Sequence, residues 1–212
     1  FHAAPVACPV CGPHLEFANL MRTSPAATEA DLKNILARMA LFPRQVDQTI
    51  EQLREGIALG WVTFKPSLER VPAQIDGVLT ADVTKSPLFE PFTRMSDAIA
   101  APVREQLSQQ GQRALRDEVY PALRKLRDFV ASDLLPIAPQ DGAMSSYPGG
   151  RAAYEYALRT HTTTPLTAEQ IHAIGLREVA RLRGEMQTQM KLASFEGSFD
   201  AFVAHLNTDP KF

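Results

Sequence analysis

Apolar residues recur along most of the chain at spacings of three and four, the period of an α-helix with one buried face. The first stripe follows Thr28, a residue type that caps helix N-termini, and the second follows a break at Phe42-Pro43 and ends at Gly60. We therefore predict a helical hairpin over 28–60. The stripes are Leu32, Ile35, Leu36 and Met39, then Val46, Ile50, Leu53 and Ile57.

The middle of the chain is predicted to hold one short helix and one long helical stretch. β-branched and aromatic side chains over 61–66 favour an extended segment, and the short helix is expected after Ser67. Residues 80–94 show no period and predict a loop. Ser96 is expected to cap a long helix or a helix pair. Pro121 lies inside that stretch and predicts a kink, because proline removes a backbone donor and clashes with the preceding turn.

Prolines, glycines and serines over 136–150 predict a linker. After it, Thr167 and Gln170 have the spacing of a capping box and open a long helix, and Ser198 precedes a final short one. The predicted inward face of the long helix is Ile171, Ile174, Val179, Leu182, Met186 and Met190.

Together these patterns predict an all-α fold, a multi-helix array with long kinked antiparallel helices. The predicted divisions are an irregular N-terminal segment at 1–27, a helical subdomain at 28–135, a linker at 136–150 and a helical segment at 151–212 that continues into a missing C-terminal part.

The composition supports a packed core and argues against two classes of partner. The chain has 212 residues, of which 45% are apolar, and 22 Lys and Arg balance 24 Asp and Glu. A formal charge of −2 gives no polycationic surface, so nucleic acid is not an expected partner. The longest apolar stretches are shorter than the roughly 20 residues that span a bilayer.

Cys8 and Cys11 form the first candidate chemical motif, a CxxC pair with His14 and His2 nearby. Such a pair can hold a zinc ion with two further ligands, or serve as a redox disulfide. Three prolines surround the pair, whereas a redox motif needs a preceding strand and a following helix. A loop without chemistry is the main interpretation, and metal binding through Cys8, Cys11 and His14 is the weaker alternative.

A polar cluster in the last quarter of the chain is the second candidate. Tyr154, Arg159, His161 and Arg181 are the predicted substrate-binding residues, because a guanidinium and an imidazole beside several hydroxyls can bind an anion or a carboxylate. The alternative is structural, since threonines at a helix corner cap backbone amides and Arg or His near a C-terminus satisfies the last carbonyls.

Several segments together resemble the bacterial domain of unknown function 885 family. The most specific are 154–164 and 167–181, followed by Glu185-Met186 and 208–212. Upstream, Arg38 with Phe42-Pro43, Gly56 to Gly60, Val119 to Ala122 and Leu134 to Pro136 fit the same pattern. The resemblance covers residues 30–212 and leaves out Cys8 and Cys11.

The resemblance implies a longer helical protein that is exported or lipid-anchored and similar to the zinc metallopeptidases of the thimet oligopeptidase and carboxypeptidase Taq kind. In that family a His-Glu-x-x-Pro-Gly-His element binds zinc. The 212 residues contain no such element, so no catalytic or metal-ligating residue carries over.

The resemblance and the candidate residues lead to the following expectations. The chain is an inactive N-terminal portion of a metallopeptidase-like hydrolase, whose zinc and catalytic groups lie in a missing C-terminal portion. The alternative is a helical module that binds a peptide or an anionic ligand. Exposed apolar surface is expected to favour homo-oligomers, and a periplasmic or exported location is expected from the resemblance.

Overall fold

The computed structural model describes residues 12–211, and every regular element in this range is helical. The all-α fold predicted above is therefore confirmed. The chain forms two compact units, the first ending at Gly150 and the second beginning at Arg151. The helices are α1 Pro13–Thr23, α2 Glu29–Ala58, α3 Lys65–Leu68, α4 Val71–Asp76, α5 Glu90–Thr93, α6 Ala101–Ala114, α7 Tyr120–Phe129, α8 Gly150–Thr162, α9 Ala168–Leu192 and α10 Phe199–Thr208.

Helix α2 is a single helix of 30 residues, and the predicted break at Pro43 is wrong. The predicted cap is present, because the Thr28 hydroxyl accepts from the Asp31 amide and the Asp31 carboxylate accepts from the Thr28 amide. Phe42 and Val46 are buried on either side of the proline. Burying each stabilises the helix by about 1.5–3 kcal/mol, which offsets the roughly 3 kcal/mol cost of an internal proline.

Helix α1 corrects the prediction that residues 1–27 are irregular. Its residues Phe17 and Met21 are buried, and the Phe17 ring lies 4.1 Å from the Phe42 ring, centroid to centroid. The Arg94 guanidinium closes the end of α1 by donating to the carbonyl oxygens of Met21 and Arg22, at 3.3 and 3.0 Å, and of Ser24. The prolines at the start of the chain favoured an irregular segment over the short apolar spacing of this helix.

The predicted long stretch is helical from Ala101 to Leu134, and Pro121, where a kink was predicted, is the second residue of α7. Two π-helical turns, Leu115–Val119 and Val130–Leu134, interrupt the α-geometry of α6 and α7. The first turn directly precedes Tyr120-Pro121, and the wider turn accommodates a residue that has no N–H to donate. Ser96 is not the cap of this helix. The helix starts at Ala101, and the Ser96 hydroxyl accepts from the Ala98 amide in the turn before it.

The core of the first unit lies between α2, the α6–α7 stretch and the shorter helices. Helix α6 approaches α5 closely at Gly111, where an added Cβ would lie 2.7 Å from two ring atoms of Phe92. Leu115, Val119, Leu126 and Val130 are fully buried along the same stretch.

Residues 136–150, predicted as a linker, pack onto the segment after α2. The Lys65 amide donates to the Pro139 carbonyl at 2.8 Å, and the Trp61 and Tyr147 rings stack with centroids 5.1 Å apart. The extended segment predicted at 61–66 forms no strand, and α3 already begins at Lys65. The predicted loop at 80–94 contains 3₁₀ turns and α5.

The second unit contains α9, which begins at the predicted capping box of Thr167 and Gln170. The Ser198 hydroxyl likewise caps α10 by accepting from the Ala201 amide at 3.1 Å. The predicted inward face of α9 is wrong. Of its residues only Met190 is buried. An amphipathic stripe indicates that a helix face suits an apolar environment, but it does not indicate that the same unit supplies the covering surface.

Candidate functional site

A groove lies between α9 and α10 in the second unit. Its volume is about 520 Å³. Glu185, Thr188 and Gln189 supply the polar part of its lining. The apolar lining residues are Leu182, Met186, Phe199, Phe202, Val203 and Leu206.

A tight turn brings α10 back beside α9. The Phe195 amide donates to the Met190 carbonyl at 3.0 Å, and Ser194 adopts a left-handed φ of 54°. The Phe195 ring then packs against Phe202 and His205, with centroid distances of 5.1 and 5.3 Å. These aromatic contacts pack the turn against the middle of α10.

The chemistry of the groove suits binding. The Thr188 hydroxyl donates to the Gly184 carbonyl within its own helix at 3.0 Å, and the Glu185 carboxylate accepts from Arg181 at 2.6 Å. Two of the three polar lining side chains, Thr188 and Glu185, thus already have partners. The groove offers apolar side chains to an apolar ligand, with no nucleophile paired to a base among its lining residues.

The four predicted substrate-binding residues all lie on the second unit. Tyr154 and His161 are seven positions apart on α8 and share one side of it, whereas Arg159 lies about 140° further round the helix from Tyr154. Arg181 is on α9. All four side chains are exposed, and within the part of the chain that the structure covers no hydrogen bond or ion pair joins any two of them.

Arg181 forms a charge ladder with two glutamates of its own helix. Its Nε donates to Glu178 at 2.8 Å and its Nη1 donates to Glu185 at 2.6 Å. These hydrogen bonds, with Glu178 the strongest influence, raise the pKa of the guanidinium above its ordinary value. The side chains are half-exposed, so solvent screens the charges of this ladder.

The threonine-rich corner after α8 uses its hydroxyls locally. Thr162 Oγ1 donates to the Leu158 carbonyl at 2.7 Å and lies 3.0 Å from Thr164 Oγ1. Thr163 has a φ of 55°, a left-handed conformation that is strained for a β-branched residue. These bonds agree with the structural alternative for the threonines and leave the roles of Arg159 and His161 as predictions.

The metal alternative at the N-terminus rests on three residues, of which one can be placed. Cys8 and Cys11 lie outside the described residues. His14 is 4% exposed, its Nε2 lies 3.3 Å from Gln74 Oε1, and its Nδ1 has no hydrogen-bond partner. Burial lowers its pKa. Between residues 12 and 211, no three His, Cys, Asp or Glu side chains come together as a metal-binding group.

A second cavity, of about 280 Å³, was missed by the sequence reasoning. It lies in the first unit beside the π-helical turn, with Arg113, Asp117 and Glu118 among its lining residues. Pro121 was the available signal, because the wide turn before it places Asp117 and Glu118 on this surface. The mixed charges of this lining give no clear ligand class.

Comparison with known protein families shows which family the chain belongs to. The profile of the family described as "Bacterial protein of unknown function (DUF885)" matches residues 6–212. The chain belongs to this family. Among curated proteins, none matches the chain.

The DUF885 chain is also similar to a solved structure, described as the "putative lipoprotein from Colwellia psychrerythraea". The TM-score is 0.86 at 24% sequence identity, over 95% of this chain and 35% of the solved chain. At this identity the likeness shows the fold alone. The chain thus spans about a third of the length of the protein it matches. Within residues 12–211, no helix has the length and apolar character of a membrane span.

Proposed function

We propose that this DUF885 chain is the helical N-terminal part of a larger hydrolase of the zinc metallopeptidase kind, and that it forms one wall of a substrate cleft. The supporting observation is the combination of a family match over 6–212 with coverage of only 35% of a solved protein of the same fold. An export route is part of the proposal, because that solved protein is described as a lipoprotein.

The proposed role of the described residues is binding and positioning. They contain no metal-binding group of three or more ligands, so they do not fit a zinc site. Tyr154, Arg159 and His161 of α8, all exposed, are proposed to contact a peptide substrate, with Arg159 attracting its carboxylates. The zinc and the catalytic residues would lie in the proposed C-terminal portion.

The test compares the 212-residue chain with the natural polypeptide that contains it. Both are purified, treated with chelator and assayed on a mixed peptide library with and without added zinc. We expect zinc-dependent hydrolysis by the longer polypeptide and no turnover by the 212-residue chain. Zinc-dependent turnover by the 212-residue chain would end the proposal of an inactive N-terminal part. The absence of turnover in both would end the hydrolase proposal.

A binding module for peptides is a second candidate, favoured by the apolar lining of the groove. Thermal shift with short peptides carrying one apolar residue and a free carboxylate tests it, since a ligand that binds only the folded state raises its Tm. Saturable stabilisation that Leu182→Ala weakens would support this candidate, and a further loss in Arg159→Ala would assign the ligand carboxylate to Arg159. The exposed variant Arg177→Ala is the matched control and should bind normally.

A further inference from the structure

The second unit leaves a continuous apolar surface exposed along the two helices that line its groove. We define the α9–α10 patch as Val179, Leu182 and Met186 of α9 with Phe199, Val203 and Leu206 of α10. Their exposed fractions are 51, 44 and 45% on α9 and 40, 39 and 38% on α10. Spacings of three and four residues place each set on one side of its helix.

The patch is large compared with the core of the unit that carries it. Met190 is the one buried apolar side chain in the described part of this unit. Six half-exposed side chains leave on the order of 500 Å² of apolar surface in water, about the largest patch of a typical monomer. Covering it would release on the order of 10 kcal/mol before ordering costs, comparable with the whole stability of a domain.

Helices of this length depend on such burial. An isolated helix is marginal in water, and most helical stability in proteins comes from packing an amphipathic face. Helix α9 is 25 residues long and packs against α10, yet Val179, Leu182 and Met186 stay exposed on its apolar face. The match to a solved protein over 95% of the chain shows that this helical arrangement also occurs within a longer polypeptide.

The length of the solved protein and the charges beside the patch indicate what covers the patch. Only 35% of the solved relative is covered, so most of that chain is polypeptide with no counterpart in these 212 residues. Glu178 and Glu185 both pair with the single Arg181, so this ladder beside the patch carries a net negative charge. A net negative charge suits a protein surface better than an anionic lipid surface, which recruits unpaired basic residues.

We propose that the α9–α10 patch seats an amphipathic helix from the polypeptide that lies outside the matched region in longer relatives. The helix inserts apolar residues at i, i+3 and i+4 into the groove between Leu182, Met186 and Val203. This interface rests on the proposed function only in requiring a longer natural polypeptide, and it does not require the hydrolase activity.

Cysteine labelling tests the interface without an activity assay. Val203→Cys places a thiol in the patch, and Ala204→Cys places one on the next, exposed position of the same helix, about 100° away. Each variant is made with Cys8→Ser and Cys11→Ser, in the 212-residue chain and in the natural polypeptide that contains it. Maleimide labelling rates are then measured under native conditions.

We expect V203C to react at least 100-fold more slowly in the longer polypeptide than in the 212-residue chain, while A204C changes less than fivefold. Equal rates for V203C in both polypeptides would overturn the interface, and so would a natural polypeptide that ends at residue 212. Protection in the 212-residue chain that grows with its concentration would identify a second copy as the occupant. Protection only on vesicles of phosphatidylglycerol and phosphatidylethanolamine would identify a membrane. Either result overturns the proposal.

A folding defect is separated from loss of the interface by a second variant. Leu182→Lys keeps a long helix-favouring side chain at an exposed position of α9, so the 212-residue chain should keep its helical circular dichroism. In the longer polypeptide we expect L182K to restore fast labelling of V203C. If V203C is protected in a longer polypeptide that has no peptidase activity, the interface stands and the hydrolase proposal fails. If the longer polypeptide is active but its V203C is accessible, the hydrolase proposal stands and the interface fails.

Discussion

The close approach of α6 to α5 at Gly111 allows a quantitative test of packing in the first unit. An alanine Cβ at this position would lie 2.7 Å from Cε2 and Cζ of Phe92 and 2.9 Å from Cδ2. Phe92 is 4% exposed and its ring stacks on Phe89 at 5.2 Å, so it has no open space to move into. Gly111→Ala therefore forces a shift of packed groups.

Two opposing effects set the size of the change. Overpacking a core costs about 1–3 kcal/mol, whereas replacing glycine by alanine inside a helix gains about 1 kcal/mol. We expect Gly111→Ala to lower the free energy of unfolding by up to about 2 kcal/mol. Gly77→Ala is the matched control in the same unit, because its Cβ would meet only ordinary contacts of 3.4 and 3.5 Å. It should raise stability by about 0.4–1 kcal/mol.

Urea unfolding followed by circular dichroism measures both variants, and Phe92→Leu completes a double-mutant cycle. If the Phe92 ring is the obstacle, removing it relieves the strain, and the double variant is more stable than the sum of the single changes by about 1 kcal/mol. Additive effects, or stabilisation by Gly111→Ala equal to that of Gly77→Ala, would refute the reasoning.

Three further predictions concern single contacts. Arg94→Ala removes the donors to the last carbonyls of α1 and should cost about 2 kcal/mol in urea unfolding, while Arg94→Lys recovers only part of it. Burial lowers the pKa of His14, so its contribution to stability is complete above the ordinary value of 6.5 and falls as the pH drops below it. Urea unfolding at pH 7.5 and 5.5 should therefore show a loss of stability at the lower pH that His14→Leu removes. An equal loss in His14→Leu contradicts the assignment. Thr163→Gly relieves a left-handed φ of 55° and should slow hydrogen exchange at the end of α8, whereas Thr163→Ala should not.

Two local signals predicted the structure correctly, whereas the local signals at Pro43 and Ser96 did not. The capping boxes at Thr28 and Thr167 involve residues three positions apart, so their geometry is contained in the sequence window that shows them. The break expected at Pro43 failed because burial of Phe42 and Val46, which no local window reveals, outweighs the proline. Tertiary packing therefore determines that the helix continues through Pro43.

The candidate site was less predictable, for a related reason. The apolar stripe of α9 was recognised, but periodicity does not say which surface covers a stripe, so Leu182 and Met186 were assigned to a core that this unit does not have. The groove depends on the turn through Ser194 and Phe195, which aligns α10 with α9. Residues that meet across such a turn become neighbours only in the folded chain.

The unequal burial in the two units has a consequence for synthesis on the ribosome. The first unit has its apolar core complete by Gly150 and can fold as soon as that residue leaves the exit tunnel. Helices α8 to α10 emerge later with their apolar sides uncovered, so chaperones that hold nascent chains should recognise this segment in preference to the first. Ribosome profiling of chaperone-bound nascent chains would locate such an engagement.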